Sequence, residues 1–299
     1  MSMKNSFETE TSPEQYKSNI ILSFFRHAES EKSNNEFPDK ERVLTDNGRS
    51  QAKIKSTDDD ISQSIAFGSP RLRSSQTAGL IMAGALDEIT GNENPEELTK
   101  KLNAELNFGS KIAIDERLDF NDDFSTEMGK KLLDAYKKGE YLQFIVEKSD
   151  ELAESLNDLE AETYSRMAGR VTEIVKKYIA IASRWNELVQ DPTKKYEKTL
   201  KRFMGTHQGV AESFLAKVIE KTKGENERNK FVSSLNNQGF DYAEGFNLEI
   251  IDTEDGPQIK VYYRNDNDNN KDNDNETPFI FDETISSDVI DEIIEEGKL

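Results

Sequence analysis

Short apolar runs alternate with helical segments over the first third of this chain. Residues 20–25 and 64–68 have the length and apolar character of buried strands. Residues 45–52, with Thr45 as N-cap, and residues 79–86 have the character of helices. A strand–helix–strand–helix order is typical of a parallel sheet covered by helices. The sequence therefore predicts an α/β fold built on a mainly parallel sheet.

The predicted domain organisation is a single α/β domain over residues 19–299, preceded by a flexible lead-in at residues 1–18. Inside this domain, residues 92–160 are highly charged and mostly helical in propensity. We interpret them as a helical insertion that lies over the sheet. At 299 residues, the chain is long enough to bury one substantial core and to carry such an insertion.

The C-terminal part has a different pattern. Apolar and polar residues alternate at 246–250 and again at 259–263, on either side of a turn at 254–256. Alternation with a period of two is typical of strands with one buried face, so we predict a C-terminal β-hairpin. The Asn/Asp-rich run at 265–276 is of low complexity and is predicted to be a mobile loop.

Charge and composition exclude several classes of function. The chain has 59 acidic and 39 basic residues and a formal net charge of −20, which repels nucleic acids and anionic membranes. It contains no cysteine, which excludes disulfides, thiolate metal sites and thiol catalysis. No stretch reaches the roughly 18 apolar residues of a membrane span, and residues 1–17 lack an apolar signal core. We therefore expect a cytoplasmic protein with no nucleic-acid or membrane partner.

The chain has only two histidines, and each follows a candidate strand. His27 comes directly after the first apolar run, next to Arg26, and His207 stands between a short candidate strand and a candidate helix. A third basic turn, with Arg71 and Arg73, follows the second apolar run. Ligands of open α/β sheets bind outside the carboxyl ends of the strands. We therefore expect the three turns to meet at one edge of the sheet.

Such a cluster of basic residues suits a phosphoryl group. Guanidinium groups bind phosphoryl oxygens in bidentate fashion, and fixed cations stabilise negative charge in the transition state. Neighbouring arginines also disfavour protonation of a histidine, and a neutral imidazole nitrogen can attack phosphorus in line. Because the net charge of −20 would repel a phosphorylated substrate at long range, such a site requires a local cluster of cations.

Four short motifs add to this interpretation. They are Arg26-His27-Ala28-Glu29, then Leu44-Thr45-x-x-Gly48-x-x-Gln51-Ala52, then Ser69-Pro70-x-x-Arg73-x-x-Gln76-Thr77-Ala78, and last Thr206-His207-x-Gly209-Val210. In this order they resemble the motifs of the histidine phosphatase superfamily, which includes phosphoglycerate-mutase-like phosphatases. The resemblance implies the phosphoglycerate-mutase-like form of the α/β fold, a three-layer arrangement with a mainly parallel sheet flanked by helices.

The resemblance also implies a role for each matching residue. His27 would be the nucleophile that becomes phosphohistidine, Arg26 and Arg73 would hold the phosphoryl oxygens, and His207 would stabilise the transferring group. Arg71 is a neighbour of the third motif rather than a match to it, and it is left out of the predicted site. No metal and no cofactor is expected, because the arginines and His207 supply the positive charge.

The proton donor to the leaving oxygen is the point at which the sequence departs from the family. The family pattern has a catalytic glutamate shortly after an Arg-Leu pair, but here the pair at 117–118 is followed by Asp119 and then Phe120. Glu116 is the first candidate for the donor, Asp119 is the alternative, and Glu212 is a distant third. A donor must lie within hydrogen-bond reach of the leaving group, which depends on the fold.

The expected function is hydrolysis of a phosphorylated small molecule through a phosphohistidine on His27. The glutamate-arginine-histidine-tyrosine-glycine string that the mutase branch carries after its third motif is absent from this sequence, which favours hydrolysis over phosphoryl shuttling. Two alternatives stay open. One is a phosphotransferase or mutase, and the other is a catalytically weak relative that binds phosphate. No motif indicates the natural substrate or the oligomeric state.

Overall fold

A seven-stranded sheet forms the centre of the computed structural model, which describes residues 18–33, 38–56, 61–106, 111–120, 123–265 and 278–298. Within these ranges the strands are β1 (Asn19–Arg26), β2 (Ile65–Gly68), β3 (Ile112–Ile114), β4 (Thr199–Thr206), β5 (Gly245–Ile251), β6 (Gln258–Arg264) and β7 (Ile280–Ile285). Their order across the sheet is β3-β2-β4-β1-β5-β6-β7.

One side of this sheet is parallel and the other is antiparallel. β1, β4, β2 and β3 pair with one another in parallel, whereas β5, β6 and β7 have antiparallel neighbours. Parallel partners need long crossover connections, whereas β5 and β6 are joined directly through residues 252–257. The predicted α/β class is confirmed, but the sheet is mixed rather than mainly parallel.

The helices that connect the strands are spread along the described residues. They are α1 (Asp46–Ile54), α2 (Leu72–Ala83), α3 (Pro95–Leu106), α4 (Glu127–Lys138), α5 (Tyr141–Leu156), α6 (Tyr164–Gln190), α7 (Val210–Lys223), α8 (Glu225–Ser234) and α9 (Ser287–Glu296). Two 3-10 helices span Asp39–Glu41 and Glu116–Leu118. None of the helices in the described ranges combines the length and the apolar character needed to cross a membrane.

Successive side chains of β1 enter two different hydrophobic cores. Phe24 stacks with Phe214 of α7 and Phe246 of β5, with ring centroids 6.4 and 5.3 Å away. Phe25 belongs instead to the core that contains Leu80 of α2 and Leu98 of α3. Because side chains of a strand alternate between its faces, β1 contributes to both cores. On one face its apolar side chains are buried, whereas on the other Asn19, Ile21 and Ser23 are half-buried and Phe25 is buried.

The predicted insertion at residues 92–160 contains α3, α4 and α5 together with β3. β3 pairs with β2, so this range supplies an edge strand of the sheet as well as helices. Two other predicted segments lie outside the described residues. The lead-in at 1–18 is described only at Ser18, whose buried hydroxyl donates to Asn186, and the loop at 265–276 is described only at Asn265.

The turn that follows β1 is supported by the first turns of α1. Thr45 caps α1 as predicted, because its Oγ1 accepts the Gly48 amide at 3.0 Å, and it donates to Glu29 Oε1 at 2.8 Å. The Glu29 amide donates to Gln51 Oε1 at 3.0 Å. Gly48 packs directly on the Glu29 carbonyl group, which leaves no space for a Cβ. The second motif is therefore a support for this turn.

We expect Gly48→Ala to lower the free energy of unfolding by about 2 kcal/mol or more, because the added methyl group would overlap the Glu29 carbonyl oxygen and push the turn away from α1. Chemical denaturation measures this change. Ser50→Ala, at an exposed position of the same helix, is the control and should change stability by less than about 0.5 kcal/mol. Equal effects of the two substitutions would contradict the packing role of Gly48.

Candidate active site

The carboxyl ends of β1 and β4 bring the two histidines side by side. In the parallel register Arg26 pairs with Thr206, and the His27 amide donates to the Thr206 carbonyl at 2.8 Å. His27 and His207 thus follow equivalent positions of neighbouring strands, and their ring centroids are 5.2 Å apart. β2 lies on the other side of β4 and ends at Gly68, just before the third basic turn. The three turns therefore meet at one edge of the sheet, as predicted.

A hydrogen bond at each of its two nitrogens holds the imidazole ring of His27 in place. Nδ1 lies 2.7 Å from the Ala28 carbonyl oxygen, and because a carbonyl only accepts, Nδ1 carries the proton. Nε2 then has a lone pair, which accepts a hydrogen bond from Arg73 Nε at 3.1 Å. Burial lowers the pKa of His27 well below 6.5, and the neighbouring His207, Arg73 and Arg26 lower it further. The imidazole is therefore neutral, with its lone pair on Nε2.

Arg73 is held beside His27 from the first turn of α2. It is buried, and its Nη1 donates to the Asp39 backbone oxygen at 2.7 Å. Its Nη2 lies 3.4 Å from the Asp39 carboxylate. Burial lowers the pKa of Arg73 to about 10, so the guanidinium stays charged at neutral pH. One nitrogen of a fixed cation thus contacts the imidazole lone pair.

Arg26 is fixed by a different segment of the chain. Its Nη1 donates to the Phe240 carbonyl at 2.7 Å, and its guanidinium carbon lies 4.4 Å from the ring centre of Tyr242. Its Nε is buried and has no hydrogen-bond partner among the described residues. A buried donor without a partner is costly, so this nitrogen is suited to donate to an anion bound beside His27.

His207 lies among Ser69, Asp119 and the arginines of α2. Its Nε2 is 2.7 Å from Ser69 Oγ and 3.4 Å from Asp119 Oδ1. Burial lowers the pKa of His207 to about 4, although the nearby Asp119 acts in the opposite direction. Gly209, two residues later, has φ +92°, and a Cβ there would contact Ile145. Glycine is thus needed to turn the chain from β4 into α7 directly after this histidine.

The two leading candidates for the proton donor lie in different surroundings. Glu116 is exposed, and within the described part of the chain no hydrogen bond or ion pair joins it to either histidine. Asp119 follows the 3-10 helix Glu116–Leu118 and contacts both Arg71 and His207. Burial would raise the pKa of Asp119, but these two partners outweigh it and hold the pKa well below 3.8. The fold brings Asp119 into the site as a carboxylate and leaves Glu116 at the surface.

Glu212, the third candidate, has both carboxylate oxygens engaged in hydrogen bonds with backbone amides. Its two carboxylate oxygens accept the amides of Gly209 and Phe240 at 2.9 and 2.8 Å. The side chain is completely buried, and burial raises its pKa to about 7. The Phe240 carbonyl also accepts the hydrogen bond from Arg26. Glu212 therefore holds in place the segment that positions this arginine.

Arg71, left out of the predicted site, lies inside it. Its Nε donates to Asp119 Oδ1 at 2.7 Å, its Nη1 pairs with the Asp39 carboxylate, and its Nη2 donates to the Phe120 carbonyl. Its position in the same turn as Arg73 was the available signal. The structure places Arg71 beside the predicted site residues because the turn that precedes α2 brings its guanidinium group close to that of Arg73.

Asp39 and Tyr242 are further members of the site that no motif indicates. Asp39 begins the 3-10 helix Asp39–Glu41, and Tyr242 comes from the segment between α8 and β5. The ring of Tyr242 is 6.1 Å from that of His27, centre to centre, and lies over Arg26. Both residues lie outside the four motifs in the sequence, so no local pattern predicts that they contact the site.

The remaining residues of the third motif hold the turns in place. The Ala28 amide donates to Thr77 Oγ1 and the Leu44 amide to Gln76 Oε1, both at 3.0 Å. Ser74 Oγ donates to the Gly205 carbonyl at 2.6 Å, so α2 is tied to the end of β4. One helix therefore fastens all three turns.

Neither a family model nor a curated protein matches this chain. Several solved structures resemble it, and two of them are described next. Phosphoglycerate mutase from Bacillus anthracis str. Sterne has a TM-score of 0.44 at 14% identity and covers 96% of this chain and 100% of its own. A mycobacterial glucosyl-3-phosphoglycerate phosphatase in complex with inorganic phosphate has a TM-score of 0.42 at 15% identity and covers 82% of this chain and 95% of its own. Both belong to the histidine phosphatase superfamily, which the four motifs resemble. At these low TM-scores and identities, the function of this chain follows only from its own site.

The two histidines should not titrate near 6.5, because both are buried beside cations. We expect the His207 imidazole signals to change with a midpoint near 4 and those of His27 at no pH in the neutral range. Nuclear magnetic resonance of the imidazole protons measures this directly, since the chain has only 2 histidines. Unfolding the chain in urea should restore ordinary titration of both. A midpoint near 6.5 in the folded protein would contradict the neutral pair.

Proposed function

We propose that this protein hydrolyses phosphomonoesters through a phosphohistidine on His27. The observation that carries the proposal is the tautomer of His27 and the hydrogen bonds that select it. Its Nδ1 proton is held by the Ala28 carbonyl, and its Nε2 lone pair lies beside the charged Arg73. A neutral imidazole next to a fixed guanidinium combines a nucleophile with an anion-binding group.

In the first step the phosphoryl dianion binds to Arg26 and Arg73, whose donors neutralise its oxygens. Nε2 of His27 attacks phosphorus in line, the N–P bond forms as the P–O bond to the leaving group breaks, and the leaving oxygen takes up a proton from solvent water, because Asp119 is ionised and has none to give. The Ala28 carbonyl, 2.7 Å from Nδ1, stabilises the positive charge that phosphorylation gives the ring. His207 stabilises the transferring group from the neighbouring strand.

In the second step water attacks phosphorus, the N–P bond breaks, and inorganic phosphate leaves as His27 returns to its neutral form. We assign to Asp119 the role of accepting a proton from this water. Because His207 and Arg71 hold its pKa low against the effect of burial, Asp119 is ionised at neutral pH, so it can take a proton from this water and then release it to solvent, but it has none to donate to a leaving group. The exposed position of Glu116 does not favour it as the proton donor.

The proposed substrate is a phosphorylated small molecule. Arginines provide the positive charge in both steps, so these steps require no metal ion and no cofactor. The net charge of −20 disfavours nucleic acids and anionic membranes as partners, whereas the cations at the sheet edge act over a short range.

Incubation with 4-nitrophenyl phosphate tests this function. The protein should release 4-nitrophenol and inorganic phosphate in equal amounts, and rapidly quenched samples should contain a phosphoryl label that is stable in alkali and lost in acid. His27→Asn should remove the label and reduce turnover by about 10³-fold or more, because the nucleophile is lost. Unchanged turnover in this variant would overturn the proposal.

The products separate the proposal from its alternatives. A phosphorylated acceptor in place of inorganic phosphate would indicate a phosphotransferase or mutase. Binding of inorganic phosphate without label or turnover would indicate a catalytically weak relative.

Glu116→Gln and Asp119→Asn should have different kinetic effects. Glu116→Gln should leave kcat within about twofold of the native value, because an exposed carboxylate away from the histidines takes no part in the reaction. Asp119→Asn should lower kcat by on the order of 10²-fold and raise the fraction of phosphorylated protein, because hydrolysis of the intermediate loses its base. Stopped-flow measurement of the 4-nitrophenol burst reports both quantities. A larger loss of kcat in Glu116→Gln would instead assign the proton transfer to Glu116.

A further inference from the structure

Asp39 is separated from the nucleophile by a single guanidinium group. Its backbone oxygen accepts Arg73 Nη1 at 2.7 Å, and its carboxylate lies 3.4 Å from Arg73 Nη2. Arg73 donates in turn to His27 at 3.1 Å. The same carboxylate pairs with Arg42 at 2.9 Å and with Arg71. Three arginines therefore share one aspartate at the place where an anionic substrate would bind.

The positive charge left for a substrate is small. Within the described residues of the site, Arg42 and Arg71 each contact an aspartate carboxylate at short range. Arg73 has only the longer contact with Asp39, and no carboxylate of the described residues forms an ion pair with Arg26. These two arginines match the charge of one phosphomonoester, which is close to −2 near neutral pH. No free cation of this cluster remains for a second anionic group.

The surroundings of the phosphoryl site oppose a second anion. The Asp39 side chain is 39% exposed, so its carboxylate is in contact with solvent beside Arg73. Asp119 is joined to it through Arg71. At Arg26 the neighbour is the ring of Tyr242, which is 40% exposed. Carboxylates repel a nearby anion, whereas an aromatic ring accepts a neutral or cationic group.

Building on the proposed phosphatase activity, we propose that Asp39 is a specificity-determining residue that restricts the site to phosphomonoesters without a second anionic group near the phosphate. The favoured substrates are phosphate esters of neutral or amine-bearing alcohols rather than phosphorylated carboxylic acids or bisphosphates. Asp39 acts in two ways. Its charge repels a second anion, and its contacts occupy Arg42 and the Nη1 side of Arg71, whose Nε is held by Asp119.

Three phosphonates of equal length test this specificity. 3-Phosphonopropanoate, 3-hydroxypropylphosphonate and 3-aminopropylphosphonate differ only in whether the far end is anionic, neutral or cationic. Their C–P bond is not hydrolysed by a phosphomonoesterase, so isothermal titration calorimetry on the native chain measures Kd independently of turnover. We expect the carboxylate compound to bind about fivefold or more weakly than the hydroxyl compound, and the amine compound at least as tightly as the hydroxyl compound.

Substitution of Asp39 should remove this discrimination. In Asp39→Asn the ratio of the Kd of the carboxylate compound to that of the hydroxyl compound should fall to about one or below, because the repelling charge is removed, Arg42 loses its carboxylate partner and Arg71 keeps only Asp119. Asp39→Ser is a second variant with the same expectation. Asp46→Asn is the matched control, since it removes the same charge from a side chain that is 95% exposed, and its ratio should equal that of the native chain.

Two results would overturn the proposal. One is equal binding of the three phosphonates by the native chain. The other is an Asp39→Asn variant that weakens all three by the same factor, which would make Asp39 a structural support of Arg73 only. Failure of the proposed function would appear separately, as absence of 4-nitrophenol release by a native chain that still shows the binding ratio.

Discussion

The parallel pairing of β1 with β4 is the contact on which the rest of the site depends. Its register sets Arg26 opposite Thr206, so His27 and His207 leave the sheet side by side. β2 pairs with the other edge of β4 and delivers the turn that contains Arg73. A slip of one residue in this register would move every side chain of β1 to the opposite face and separate the two rings.

Burial converts this geometry into chemistry. Both histidines are neutral because desolvation and nearby arginines oppose protonation, and the carbonyl of Ala28 decides which nitrogen of His27 keeps its lone pair. Fixed cations in a buried site act more strongly than they would in water. The negative charge of the whole chain is compatible with such a site, because the arginines act locally while the distant acidic surface is screened by salt.

The parts of the site that could be predicted are those encoded within single turns. His27 and His207 stand directly after strands, Arg26 ends β1, and Arg73 lies in the first turn of the helix that follows β2, while the strand ends of a parallel sheet meet at one edge. Asp39 and Tyr242 could not be predicted in the same way, because their contacts join segments far apart in the chain. Arg71 stands in a predicted turn, but its contacts with Asp39 and Asp119 depend on the fold. The mixed sheet was missed because antiparallel β5–β7 attach to the free edge of β1, a pairing that local patterns do not specify.

By itself, the sequence determined the α/β class, the two histidines with their arginines, and the supports of the turns, such as Thr45 at the start of α1. These follow from local rules, since propensity, capping and apolar pattern act over a few residues. Only the tertiary structure decided the burial that keeps the histidines neutral, the exposure of Glu116 and the contacts of Asp39 with the arginines. Charge and burial at a site depend on distances in space, and those distances exist only after the chain has folded.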